Sequence, residues 1–298
     1  MEPITKTLAD VLCVGKKMIH FCTHFDSGYF AHGMALIESM QRHCKPYRLT
    51  ILALDGECEH ILIATKLPPQ VAVWPRSDFE DKLGYNLRAQ RRQHTWKEYC
   101  WLLEPVLCAQ MLNRSIESFC YIDADSFFFA PPKPVFDKIP DDALVALSPH
   151  RFPLKFSERE QAVGRFNFGF GWFRNTLDVR LLVGRWVDQT LIRCEGNTAG
   201  HQRYLDGWPA ALKGRLHELP ATINAAPWQQ TKIAGEPPAI DGEPLVHFHF
   251  HEFRKREHGG RNPIEIKKER WNLTDYEVDK STRQFVYDPY LKELAKHV

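Results

Sequence analysis

The chain has 298 residues, 44% hydrophobic and 26% charged, with a formal net charge of +2. This is globular composition, long enough for one large domain or two small ones. A balance so close to neutrality gives no global case for nucleic-acid binding, and no stretch approaches the roughly 18 apolar residues of a membrane span.

The first residues, "MEPITKTLADVLCVGKKMIHF", lack the basic start and apolar core of a secretory signal. "MIHFCT" (18–23) predicts a buried strand. "YFAHGMALIESMQRH" (29–43) predicts a helix, because Phe30, Met34, Ile37 and Met40 recur every three or four residues. A second strand, 48–54, stops at the turn pair Asp55-Gly56. "ECEHILIATKL" (57–67) reads as a helix, and "QVAVWP" (70–75) as a third strand ended by proline. A long helix follows over 95–113, interrupted near Pro105. "SFCYID" (118–123) is the fourth strand. This alternation at short spacing predicts an α/β fold with a mostly parallel sheet covered on both faces. Ligands of such sheets bind beyond the carboxyl ends of the strands.

The second half predicts strands over 143–149 and 165–175 and helices over 176–193 and 200–214. A strand follows over 243–253, whose alternation puts His247, His249 and His251 on one face and Phe248 and Phe250 on the other. The stretch after it is basic, with seven Arg or Lys against three Glu over 254–270, and the last segment reads as a docking helix. No internal repeat or low-complexity tract occurs. The eight cysteines (13, 22, 44, 58, 100, 108, 120 and 194) form no C-x-x-C pair and no close zinc spacing. Reduced, buried thiols in a cytoplasmic protein are the simpler expectation.

Asp123 and Asp125 close the fourth strand one residue apart. In extended chain their side chains share a face, where two carboxylates repel unless a cation or water reaches both. A divalent cation bridging to phosphate oxygens suits the pair; the plainer alternative is turn or helix capping. One histidine of the 247–251 strand can supply an imidazole to the same ion, and an Asp/Asp/His set favours Mn²⁺ over Mg²⁺. In "RFNFGFGWFRNT", Gly169 and Gly171 either admit a ligand to the backbone or mark a bulge in a core strand. Trp228 either stacks on a sugar ring or is buried.

In their order, "FCTHFDSGYFAHGMALIESM", "YIDADSFFF", "FNFGFGWFRNT", "HQRYLDGWP", "NAAPW" and "PLVHFHFHEF" resemble the GT-A nucleotide-diphospho-sugar transferases. The nearest branch is that of glycogenin and the bacterial lipopolysaccharide galactosyl- and glucosyltransferases. The resemblance spans roughly residues 18–255 and implies a single GT-A domain, 1–253, with a basic C-terminal extension, 254–298, packed on it. It implies that Thr23 and Tyr29 hold the nucleoside. Asp123, Asp125 and His249 bind the metal, with His247 as the rival. Asn167 and Gly169 lie beside the donor sugar, Gln202 stands by its anomeric carbon, and Lys255 binds phosphate. Asp125 and Gln202 are then the catalytic candidates. The implied reaction moves a sugar from a nucleotide diphosphate, UDP by expectation, to the hydroxyl of a glycan or lipid-linked acceptor, with retention. The basic stretch is the candidate for peripheral contact with an anionic membrane.

The chain departs from that pattern at three places. The family's Asp-Gln-Asp is His201-Gln202-Arg203, a helix lysine is Glu104, and a glycine following the metal histidine is Glu252. Two rival readings are a non-catalytic nucleotide-sugar-binding descendant and a phosphatase of the haloacid dehalogenase type. The phosphatase class also places D-x-D after an apolar strand, but normally at the start of its domain.

Overall fold

A computed structural model describes residues 18–82, 85–192, 201–256 and 259–298. Strands β1 (Ile19–Phe25), β2 (Tyr47–Ala53), β3 (Val71–Pro75), β4 (Ser118–Ile122), β6 (Val145–Pro149), β7 (Phe166–Arg174) and β8 (Leu216–Glu218) form one sheet; β5 (Ser126–Phe128) stands outside it. The order is β3-β2-β1-β4-β7-β6-β8. All pairings are parallel except those of β7, which runs against both β4 and β6.

Period-two alternation divides the core between the two faces of this sheet. On β4, Phe119 and Tyr121 pack with Leu103, Leu107 and Trp186, from the helices Trp96–Leu112 and Leu177–Ile192. Cys120 and Ile122 face the other way, toward Met34, Ile37 and Met40 of the helix Phe30–His43. The Trp96–Leu112 helix starts at a capping box in which Thr95 and Glu98 satisfy each other's backbone donors, and Pro105 lies inside it.

The strand predicted over 243–253 is split: Glu243–Pro244 pairs with Ala239–Ile240, and His247–His249 pairs antiparallel with β5. Glu252 takes a left-handed conformation (φ 64°) that turns the chain before Arg254–Lys255. The helix predicted over 200–214 is also broken. A 3₁₀ segment, Gln202–Gly207, gives way to a single turn, Trp208–Ala211, because Pro209 is tolerated only in a first helical turn.

Past Phe253 the chain adds a small antiparallel sheet of Arg254–Lys255, Glu269–Asn272 and Pro263–Ile266, then helical turns ending in Asp288–Leu294. Tyr290 anchors these turns: its ring stacks on Phe250 at 3.7 Å and its hydroxyl lies 2.6 Å from His32 Nδ1. Among the described residues, Cys22, Cys44, Cys58, Cys108 and Cys120 are buried free thiols; Cys13 and Cys194 lie outside the described residues. No described helix is long and apolar enough to cross a membrane.

Candidate active site

A cleft of about 630 Å³ opens at the carboxyl ends of β1 and β4. This is the place and size expected of a ligand site in an α/β sheet. Its floor is built by register. Pairing of His249 with Ser126 sets the imidazole beside the D-x-D turn, and Phe250 N–H donates to Asp125 O at 2.7 Å. From the other side, His249 N–H donates to Ala225 O at 2.8 Å. His249 Nε2 then lies 3.5 Å from Asp123 Oδ2 and 3.4 Å from Asp125 Oδ1. One donor atom from each of the three side chains falls within 4.8 Å of the others. Among the described residues no other group of three His, Cys, Asp or Glu side chains converges in this way.

Close approach of His249 depends on Gly169. A Cβ there would stand 2.4 Å from His249 Nδ1 and 2.8 Å from Asn167 Oδ1. The surrounding strand is also irregular, since the β6–β7 register shifts between Leu147 and Ser148. The bulge reading of this glycine strand is therefore met, and Gly169 leaves a stretch of backbone without a side chain beside the cleft.

The electrostatics favour a cation. Burial pushes the Asp123 carboxyl up to about 7, against the pull of His249. Asp125 is held below the usual carboxylate range because the charge of His249 and a hydrogen bond to it outweigh burial. Burial works against a charged His249, yet Asp125 raises its affinity for a proton. Glu104, a third acid in the cleft wall, adds to the repulsion on Asp123. Two carboxylates and an imidazole at this spacing are also a chemically suitable donor set for one Mg²⁺- or Mn²⁺-like ion, whose neighbouring ligands stand about 3 Å apart.

Tyr29, Asp123, Asp125, Asn167, Gly169, Gln202 and His249 all line the cleft. Asn167 Oδ1 accepts from Gly169 N–H and Asn224 Nδ2, both at 2.9 Å. Gln202 Oε1 accepts from Phe168 N–H at 3.3 Å, and its Nε2 donates to Val163 O at 3.4 Å. Tyr29 is 37% exposed at the rim. Its loop is tied to the end of β2, where Asp55 accepts from Ser27, and to Trp96, whose indole donates to Asp26 at 2.6 Å.

Three expectations are displaced. Thr23 is fully buried inside β1 and does not line the cleft; the cleft instead receives His24, Phe25 and Asp26 at the strand's end. Lys255 also lies outside it, exposed and paired with Glu269 at 2.7 Å. Arg254, on the opposite face of that short strand, lines the cleft instead. His247 is fully buried between Phe128 and Phe170, at 4.9 and 5.0 Å between ring centroids.

Sequence reasoning passed over the outer wall. It comes from the segment after β6 (His150, Phe152, Arg159), from the helix start (Trp96, Lys97, Trp101) and from Tyr276 in the C-terminal extension. Arg159 donates to the Tyr276 hydroxyl at 2.6 Å. Trp228 is buried, as its plainer reading held, yet still borders the cleft, with its indole donating to His150 O at 2.8 Å. Aromatic and cationic residues spaced along "HRFPLKFSER" were the available signal.

No protein-family model matches the chain. In sequence it is similar to two uncharacterised proteins of Bacillus subtilis (strain 168). YfnD is 27% identical over 297 residues, covering 94% of this chain and 89% of that protein. YfnF is 27% identical over 251 residues, covering 78% and 81%. In structure it is similar to mouse xyloside xylosyltransferase 1, with a TM-score of 0.53 and 14% identity over 79% of this chain and 98% of that one. It is equally similar to the galactosyltransferase LgtC in complex with donor and acceptor sugar analogues, with a TM-score of 0.53 and 14% identity over 94% and 96%. The chain therefore has the GT-A fold.

Proposed function

We propose that the chain is a metal-dependent glycosyltransferase moving a sugar from a nucleotide diphosphate, UDP in our reading, to an acceptor hydroxyl with retention. The observation that carries this is the convergence of Asp123, Asp125 and His249 at the floor of the cleft. The GT-A fold supports it, as do two similar structures of a xylosyltransferase and a galactosyltransferase. A phosphatase of the haloacid dehalogenase type is disfavoured, because its chemistry asks for no imidazole from a distant strand beside the D-x-D turn.

Asp123, Asp125 and His249 would hold Mn²⁺ or Mg²⁺, which when bound supplies Lewis-acid stabilisation of charge on the departing diphosphate. Arg254 takes the phosphate-binding part first assigned to Lys255, because its guanidinium is the one of the two that borders the cleft. Tyr29 offers a ring to the nucleobase. Gln202, fixed by Phe168 N–H and Val163 O, presents a neutral amide and no nucleophile. Attack of the acceptor on the face from which the diphosphate leaves, with a phosphate oxygen taking the acceptor's proton, requires no covalent sugar–protein bond. The aromatic wall of Phe152, Trp228 and Tyr276 restricts water around the reacting carbon. A glycan or lipid-linked acceptor would enter past this wall, and the enzyme would work in the cytoplasm.

Thermal-shift titration with UDP and Mn²⁺ tests the reading, since a ligand of the folded state raises Tm. UDP is expected to stabilise the protein only when Mn²⁺ is present, and Asp125→Ala is expected to abolish that shift while keeping a cooperative melt. Metal-independent binding, or full sugar transfer in excess EDTA, refutes the role given to the ion. Binding without transfer or donor hydrolysis across UDP-sugars favours the non-catalytic alternative.

A further inference from the structure

Alternation along β4 puts Tyr121 and Asp123 on one face, two residues apart. The extended course continues one residue past the strand, where Asp123 N–H donates to Gly169 O at 3.0 Å. Tyr121 is fully buried, and its ring stacks on Phe168 at 4.7 Å between centroids and 16° between planes. The ring is thereby fixed and its hydroxyl aimed. That hydroxyl donates to Asp123 Oδ1 at 2.9 Å. It also lies 3.1 Å from His24 Nδ1, at the end of the neighbouring parallel strand β1. The other oxygen of the carboxyl, Asp123 Oδ2, is the one 3.5 Å from His249 Nε2. The protein thus holds Asp123 by one oxygen and presents the other to the floor of the cleft.

The last torsion of an aspartate is broad and roughly two-fold, so a carboxyl held only at its Cβ samples many orientations. A hydroxyl fixed on one oxygen removes that freedom before an ion arrives. A tyrosine hydroxyl has one proton, and here it has two neighbours that can accept it, the carboxylate and the imidazole. A carboxylate that ligates a cation is ionised and only accepts, and hydrogen bonds to charged acceptors are the stronger kind. With the floor loaded, the proton therefore belongs on Asp123. Packing alone does not account for the hydroxyl, because a phenylalanine would fill the same space on Phe168 without a polar group to bury.

We propose that Tyr121 is a positioning residue of the metal floor: its hydroxyl orients the Asp123 carboxylate so that Oδ2 is presented to an ion shared with Asp125 and His249. This rests on the reading of those three side chains as a cation site. Tyr121 acts only through Asp123.

Mn²⁺ titration followed by electron paramagnetic resonance, with a thermal melt of the same proteins in EDTA, tests the proposal. Tyr121→Phe keeps the ring and removes only the hydroxyl; it is expected to weaken Mn²⁺ binding by about tenfold or more. Phe119→Leu is the control. Phe119 is buried on the same face of β4 and stacks on Phe173 at 5.0 Å, so its loss should lower Tm and leave Mn²⁺ affinity alone. Wild-type Mn²⁺ affinity in a folded Tyr121→Phe protein overturns the proposal, whatever its Tm. So does an equal loss of Mn²⁺ affinity in Phe119→Leu, since the effect is then general loosening of the strand. If Tyr121→Phe does not fold, a crystal structure of the wild-type chain with Mn²⁺ decides. The hydroxyl on Asp123 Oδ1 with the ion on Oδ2 supports the proposal; a hydroxyl turned to His24 alone, or an ion on Oδ1, overturns it. Mn²⁺ failing to bind the wild-type chain is a different result, which removes the underlying reading and this one with it.

Discussion

Gly169→Ala isolates the geometry of the metal floor without touching a ligand. The added Cβ would lie 2.4 Å from His249 Nδ1, about 1 Å short of the 3.4 Å at which ordinary contact begins. Asn167 and Asn224 are also too close, each at 2.8 Å, so neither side offers relief. No φ penalty confuses the result, since Gly169 does not have positive φ. His249 cannot retreat by swinging its backbone, because its strand is held by β5 and by Ala225. The imidazole must therefore rotate off its rotamer or move by about 1 Å, at roughly 1–3 kcal/mol of overpacking. Displacement of one ligand of three is expected to weaken Mn²⁺ binding by about 10–100-fold. Gly171→Ala is the control: its Cβ would press Phe168 and Phe173 at 2.9 and 3.1 Å, so it should lower Tm and leave Mn²⁺ affinity alone. Free Mn²⁺ measured by electron paramagnetic resonance, with a thermal melt alongside, separates the two. Wild-type Mn²⁺ affinity in a folded Gly169→Ala protein refutes the argument.

His247→Phe is expected to leave Mn²⁺ affinity unchanged and Tm equal or higher. Both ring nitrogens are buried without a partner among the described residues, and the flanking rings are Phe128 and Phe170. A large loss of metal binding, read in the same titration, returns His247 to the ligand set. Arg254→Ala is expected to weaken UDP by about tenfold or more through loss of a charge-assisted contact. Lys255→Ala, which breaks an exposed pair with Glu269, should change neither affinity nor Tm beyond about 1 kcal/mol; calorimetry with UDP and Mn²⁺ giving the opposite order restores Lys255.

Buried parallel strands are continuous apolar runs, so β1, β2 and β4 were legible from composition, and the helices Phe30–His43 and Trp96–Leu112 from period; the polar helices Arg76–Lys82 and Leu87–Gln93 gave no such signal. Asp123 and Asp125 were legible for the same reason: two acids ending such a run have no place in a core. The partner of that pair was harder to find. Alternation put three histidines on one face, but only the pairing of His247–His249 with β5 makes His249 the one at the carboxylates, and register between segments about 120 residues apart is not written in either alone. The exchange of Arg254 for Lys255 has a local cause. The resemblance implied Lys255 by its spacing from His249, yet past the left-handed turn at Glu252 it is Arg254 that borders the cleft. That turn also gives a physical meaning to the departure at Glu252, because a left-handed residue is where a glycine costs least.

The departures at Glu104 and His201 read in sequence as two separate changes of charge, a lysine replaced by an acid and an aspartate by a histidine. In space they are one contact of 2.6 Å. Removing either side chain would take away the other's 2.6 Å polar contact inside the wall, at about 1–3 kcal/mol. Burial pushes the Glu104 carboxyl up and the His201 imidazole down, so both shifts disfavour charge in this wall. The change in the wall stops short of the floor beneath it, where Asp123, Asp125 and His249 still bring two carboxylates and an imidazole within reach of one ion.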